Sequence, residues 1–156
     1  MNEKVSKKIG EAYAFSMVLQ DLNNKVPEVL KELLSELSES INEATNLQIS
    51  KFDEIVEQAR TTDIVKSKAE KTSAKITNMG EFYVGDDWDD SAEVLEWFSF
   101  FVGAAIIHWQ LILGCGRELE NEELISVSEE GVKYFESLLS ESKKKAESIG
   151  RERAIS

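Results

Sequence analysis

The stretch from Trp97 to Gly116 constrains the fold more than any other, because it carries no Asp, Glu, Lys or Arg. A helix that is apolar on all sides is either the centre of a soluble bundle or a membrane span. A span needs about 20 apolar residues, and this stretch reaches that length. The choice between these two environments therefore comes first.

The polar residues inside the stretch favour the soluble environment. His108 and Gln110 would lie deep in a bilayer, where polar side chains are costly. Trp109 is too far from either end of the stretch to act as an anchor at a membrane surface. Amphipathic segments elsewhere in the chain also need an apolar partner. We therefore predict a buried central helix over about 92–115 and keep a membrane span at 97–116 as the minor alternative.

The remaining composition favours a helical domain. The chain has 156 residues, 42% of them hydrophobic and 31% charged, which is enough for one domain with a real core. One proline favours long helices, and no alternating runs of Val, Ile and Thr predict strands. The sequence predicts an all-α fold, a four- or five-helix bundle around the central helix. We expect a single domain, 1–156, whose last residues (about 150–156) fray.

Apolar residues that repeat at three- and four-residue steps predict the other helices. Pro27 suits the first turn of the second helix, and Asp90 or Ser91 suits the N-cap of the central one. The predicted ranges are Glu3 to Leu22, Pro27 to Ala59 with a break near 46–50, Asp63 to Asn78 (separate or continuous with the second helix) ending at Gly80, an irregular segment 81–90, and a final helix from Ser126 or Ser128.

The charge and the single cysteine restrict the partners and the compartment. The net charge of −12 repels phosphate backbones and anionic membrane surfaces. Cys115 alone cannot form an intramolecular disulfide, and the N-terminal segment has no apolar core of signal-peptide length. We expect a cytoplasmic protein with no nucleic-acid and no membrane partner.

The residue pattern does not predict metal or catalytic chemistry. Ferritin-like di-iron bundles need Glu-x-x-His on two helices, but His108 is the one histidine and Ala105 stands three positions before it. Cys115 lies two helical turns beyond His108, about 10 Å away, which is too far for a shared metal. We predict no catalytic residue, no cofactor and no metal, and interpret His108 as a buried core residue. A ferritin-like bundle without a recognisable metal site stays a weaker alternative.

Small and polar residues form one line along the central helix: Glu96, Ser99, Gly103, Gln110 and Gly114. Such a line lets another backbone approach closely. We interpret it first as an ordinary helix crossing in the core, and second as a seam for self-association.

Aromatic residues at the acidic start of the central helix predict an interface. Trp88, Trp97 and Phe98 are expected at a shared surface, because the cover that segment 63–78 can offer looks incomplete. Two-fold pairing is the commonest arrangement of identical chains, so we predict a homodimer. The leading function is non-enzymatic, through self-association or through binding of another protein.

A second set of residues on the central helix predicts an apolar pocket. Phe101, Ala105, His108 and Ile112 share one face and could line a cavity between the helices. The alternative function is therefore a carrier or sensor of a small apolar ligand. An enzyme with an undetected site is the weakest interpretation.

Phe101 supplies the first test, because its predicted position is in the core. Replacing Phe101 with Ala should lower the free energy of unfolding by about 3–5 kcal/mol. Urea denaturation followed by circular dichroism measures this change. A loss well below 1 kcal/mol would place the ring at the surface.

Overall fold

Six α-helices and one short 3₁₀ segment form the computed structural model, which describes residues 1–156. The predicted all-α bundle is confirmed. It has five helices if the rod that spans 27–58 is counted once. The elements are α1 (Glu3–Lys25), α2 (Pro27–Leu34), the 3₁₀ segment (Ser35–Ser40), α3 (Ile41–Gln58), α4 (Thr62–Val84), α5 (Ser91–Glu118) and α6 (Glu122–Ile155).

The helix that neighbours enclose on all sides is α1. Five consecutive residues, Ala12 to Ser16, are buried, and five residues exceed one helical turn. Small side chains allow this enclosure. A Cβ atom at Gly10 would lie 2.7 Å from the carbonyl oxygen of Val65 in α4. Helices α3, α4 and α5 therefore pack against different sides of α1.

Helix α5 is buried on one side and open on the other. Trp109 is fully buried, and its ring stacks on Phe52 of α3 at a centroid distance of 4.9 Å. Phe100 and Ile107 are 59% and 61% exposed. The prediction that α5 is covered on every face is therefore wrong. Its main neighbours, α1 and α6, occupy only part of its circumference.

Helix α5 is also the one helix that length and composition would allow to cross a membrane. Of its most apolar window of 18 residues, 39% is buried inside the bundle. The other residues of that window leave a large apolar area on the protein surface.

The rod that follows α1 breaks earlier than the sequence predicts. A 3₁₀ segment separates α2 from α3, and Ser35 has a positive φ of 53°. The hydroxyl groups of Ser38 and Ser40 donate to the carbonyls of Ser35 and Leu37. Such local bonds compete with the α-helical pattern. The predicted break near 46–50 is wrong.

The break also rotates α3 relative to the predicted apolar stripe. The apolar Leu47 is 52% exposed, and the polar Gln48 next to it is buried. The Ser16 hydroxyl donates to the Gln48 side-chain oxygen at 2.8 Å. This bond satisfies two polar groups inside the core.

Two helices extend past the glycines that were expected to end them. Gly80 lies within α4, which ends only at Gly85, where φ is +62°. Gly114 and Gly116 lie within α5, which continues to Glu118. Of the two alternatives for segment 63–78, a separate helix is the one observed, because Arg60 has a positive φ of 56° between α3 and α4. The irregular segment before α5 is accordingly shorter than predicted.

The N-cap of α5 agrees with the sequence prediction, whereas the start of α6 does not. Asp90 caps α5, and its Oδ1 atom accepts from the backbone N–H of Ala92 at 2.8 Å. Helix α6 begins at Glu122 instead of near Ser126, because the Asn121 side chain caps it. It continues to Ile155, and Arg153 near its end binds Asp90 at 2.9 Å.

The contact between Trp109 and Gly131 joins α5 to α6. A Cβ atom at Gly131 would lie 2.1 Å from the Trp109 ring, so only glycine fits there. Replacing Gly131 with Ala should lower the free energy of unfolding by at least about 1–3 kcal/mol through overpacking. Urea denaturation measures the effect.

Gly150 provides the matched control on the same helix. A Cβ atom at Gly150 would meet nothing within 4 Å. Gly150→Ala should raise the free energy of unfolding by about 0.5–1 kcal/mol, because alanine is the better helix former. Equal stability of the two variants would contradict the packing described here.

Candidate functional site

A groove opens where α4 and α5 separate above α1. Helix α4 approaches α1 closely at Gly10. It approaches α5 closely at Gly80, where a Cβ atom would lie 3.0 Å from the Trp97 ring. Between these two points the helices leave a cavity of about 510 Å³. This volume lies within the range of ligand pockets.

The floor of the groove is apolar. The rings of Phe15 and Phe101 lie 5.4 Å apart, centroid to centroid, and Ile76 contributes from α4. The thirteen lining residues come from three helices: Glu11 and Phe15 of α1; Lys68, Lys71, Thr72, Lys75, Ile76 and Met79 of α4; Trp97, Phe100, Phe101, Ala104 and His108 of α5.

A charged cluster closes one end of the groove around Glu11. Its carboxylate lies 2.7 Å from the Lys8 ammonium, 3.2 Å from that of Lys68 and 3.5 Å from Nε2 of His108. Nδ1 of His108 donates to the carbonyl of Ala104 at 2.8 Å. Burial raises the pKa of Glu11, but hydrogen bonds and charge from the two lysines outweigh it. Its pKa therefore lies below the usual range.

Two lysines on the rim of the groove have no acidic partner. Lys71 and Lys75 are exposed and form no ion pair, whereas Lys68 is paired with Glu11. Because they are four residues apart, they lie on the same side of α4. The rim of the groove is therefore positive in a protein whose net charge is −12.

The exposed side of α5 forms a second feature, which we call the α5 open face. It carries no charged group between Glu96 and Arg117. On α4, Met79, Phe82 and Tyr83 are exposed beside it, and the Tyr83 ring contacts Phe100 edge to face at 5.4 Å. The residues of the α5 open face are Ser99, Phe100, Gly103, Ala104, Ile107, Gln110, Leu111 and Gly114.

The line of small and polar residues lies on this face. Glu96, Ser99, Gln110 and Gly114 are exposed, and Gly103 is half-buried. The interpretation as a helix crossing in the core is therefore wrong. The second interpretation, a seam for self-association, stays a prediction, because these residues face solvent.

Two of the three residues expected at an interface lie inside the protein. Trp97 and Phe98 are 5% and 0% exposed, so their predicted surface position is wrong. Trp88 is half-buried, with the Lys25 ammonium 3.9 Å above its ring. The most exposed aromatic residues are instead Phe82 of α4 and Phe100 of α5, at 94% and 59%. No periodic pattern could identify Phe100, because α5 is apolar in every direction.

The predicted apolar pocket is only half reproduced. Phe101 and His108 line the groove, whereas Ala105 and Ile112 are fully buried outside it. The prediction that His108 is inaccessible is wrong, because 28% of its side chain is exposed. The sequence did not predict that Glu11 and the lysines of α4 line the groove, because only the crossing of α1 with α4 brings them together. No group of three or more His, Cys, Asp or Glu side chains could hold a metal ion.

Comparison with protein-family models, with curated proteins and with solved structures finds no match to this chain.

The lowered pKa of Glu11 predicts a pH dependence of stability. Its ionised form stabilises the fold fully above the pKa of an unfolded glutamate, about 4.3. This contribution disappears as the pH falls through the lower value of the folded state. Glu11→Gln should therefore cost on the order of 1 kcal/mol at pH 7 and almost nothing at pH 2.

Urea denaturation at both pH values measures this difference. Glu136→Gln is the control, because Glu136 is exposed in the middle of α6 and forms no ion pair. The control should match the wild type at both pH values. An equal loss at pH 7 and pH 2 in Glu11→Gln would show that the Glu11 charge is not what stabilises the fold.

Proposed function

We propose that this protein acts without catalysis, as a homodimer that forms through the α5 open face. The observation that carries the proposal is the exposure of large apolar residues, with Phe100 and Ile107 at 59% and 61%. Apolar surface of this extent is typical of protein interaction sites. Location in the cytoplasm belongs to the same proposal, supported by the lone cysteine and the lack of a disulfide.

Charge supports a second copy as the partner. The chain carries 30 acidic and 18 basic residues, so two copies repel each other over most of their surface. The α5 open face has no charged side chain over four helical turns, from Ser99 to Gly114. Identical chains can approach there without placing like charges in contact.

Geometry supports a two-fold antiparallel pairing of α5 helices around Ile107. A Cβ atom at Gly103 or Gly114 would meet nothing within 4 Å, so a second helix can approach the backbone at both positions. Antiparallel pairing would keep the two Glu96 carboxylates about 33 Å apart, whereas parallel pairing would bring them together. Such a dimer must bury about 1,000 Å² or more to be specific.

Ile107→Glu tests the dimer. The substitution would place two carboxylates near the two-fold axis, so the dissociation constant should rise at least ten-fold. Sedimentation velocity at micromolar concentration measures it. Leu47→Glu is the matched control, because Leu47 is 52% exposed on α3, away from the α5 open face.

The outcomes separate a second copy from another partner. A dimeric wild type, a monomeric Ile107→Glu variant and a dimeric Leu47→Glu variant support the proposal. A wild type that sediments as a monomer overturns it and leaves a different protein as the partner of the face. Trp97→Glu is unsuitable as a test, since Trp97 is buried and the substitution would disturb the fold.

The groove supports a second candidate function, a carrier or sensor of a small apolar ligand. Its volume of about 510 Å³ and its apolar lining, in which Met79 and Phe100 are the most exposed large residues, suit an apolar molecule. Mass spectrometry of the native protein should detect such a molecule if it is retained during purification.

A further inference from the structure

We infer that the groove binds a single long-chain carboxylate, a fatty acid, with its hydrocarbon chain on the apolar floor and its carboxylate between Lys71 and Lys75. The inference rests on the second candidate function and names the class of ligand. Three features carry it: the shape of the groove, the position of its free positive charges and the position of its one carboxylate.

The shape suits an extended chain. The lining residues on α4 run from Lys68 to Met79, and those on α5 run from Trp97 to His108. Each set spans about 16 Å of helix. A second hollow of about 540 Å³ continues past Met79 and Phe100 along exposed aromatic rings. A long apolar site favours a flexible chain over a compact molecule.

The free charges suit an acidic headgroup. Four lysines of α4 lie within ten residues, but Lys66 is paired with Asp53 and Lys68 with Glu11. Lys71 and Lys75 line the groove and have no acidic partner. A carboxylate between them would gain charge-assisted hydrogen bonds. A neutral ligand would leave both ammonium groups without a negatively charged partner.

The position of Glu11 sets the direction of the ligand. Its carboxylate repels a second carboxylate, although the ammonium groups of Lys8 and Lys68 partly offset this repulsion. The headgroup therefore lies on the α4 rim, and the chain extends away from Glu11 towards Met79 and Trp97. That end of the groove is lined by apolar and aromatic side chains.

A free fatty acid fits better than a lipid in a bilayer. The positive rim is local, because acidic residues outnumber basic ones by 30 to 18 over the whole chain. An anionic membrane would repel the remaining surface. A single amphiphile can enter from solution without bringing other negative charges near the protein.

Isothermal titration with sodium dodecanoate, below its micellar concentration, tests the inference. We expect saturable binding of one molecule per chain, and a change in tryptophan fluorescence because Trp97 lines the groove. Affinity should rise about four-fold for each added methylene from octanoate to dodecanoate. The double variant Lys71→Gln/Lys75→Gln should bind dodecanoate at least ten-fold more weakly.

Two controls isolate the headgroup and the site. Lys143→Gln/Lys145→Gln removes the same charge from two lysines of α6 that form no ion pair and lie outside the groove; it should bind dodecanoate as the wild type does. 1-Dodecanol should bind the wild type and the groove variant equally, because it has no charge. Titration of Ile107→Glu should give the wild-type affinity, which separates this result from that of the dimer.

Four outcomes would overturn the inference. Equal binding of dodecanoate by the groove variant and the wild type removes the lysines from the site. Binding of 1-dodecanol without binding of dodecanoate would leave the groove as an apolar site but reject the fatty acid as its ligand. Failure of both ligands to bind would also reject the second candidate function. Binding to phosphatidylserine vesicles without binding of free dodecanoate would make the rim a membrane contact.

Discussion

The contact of Trp109 with Gly131 determines which side of α5 is buried and which side faces solvent. The indole can lie against the α6 backbone only because residue 131 has no side chain. This contact fixes the rotation of α5 about its axis. Ile107 precedes Trp109 by two residues, about 200° around the helix, so burial of Trp109 forces Ile107 outward. The apolar residues on the far side of α5 are exposed because the large ring is buried.

The groove and the α5 open face both follow from the path of α4. Helix α4 touches α1 at Gly10 and α5 at Gly80, and both contacts depend on glycines that admit a close neighbour. Between these points α4 diverges from α5 and leaves Phe100 and Ile107 uncovered. A helix that lay along α5 would remove both features, so one packing geometry produces the two candidate sites.

Sequence reasoning predicted the helical class and the Asp90 cap, because apolar spacing and capping residues act locally. It did not predict which side of α5 is buried, since a helix that is apolar in every direction carries no directional pattern. It also predicted a helix end at Gly80, whereas Gly80 lies inside α4 and lets the Trp97 ring approach the α4 backbone. The groove depends on Glu11 and Lys68, which are distant in sequence, and only the crossing of α1 with α4 brings them together.

The enclosure of α1 has a consequence for the order of folding during synthesis. The segment Gly10 to Ser16 leaves the ribosome well before the residues that cover it: Phe52 from α3, Val65 from α4 and Phe101 from α5. Until α5 has been translated, one side of α1 has no partner. The native core therefore cannot close on a nascent chain that ends before α5, and α1, although it is made before the helices that cover it, is among the last to be fully packed.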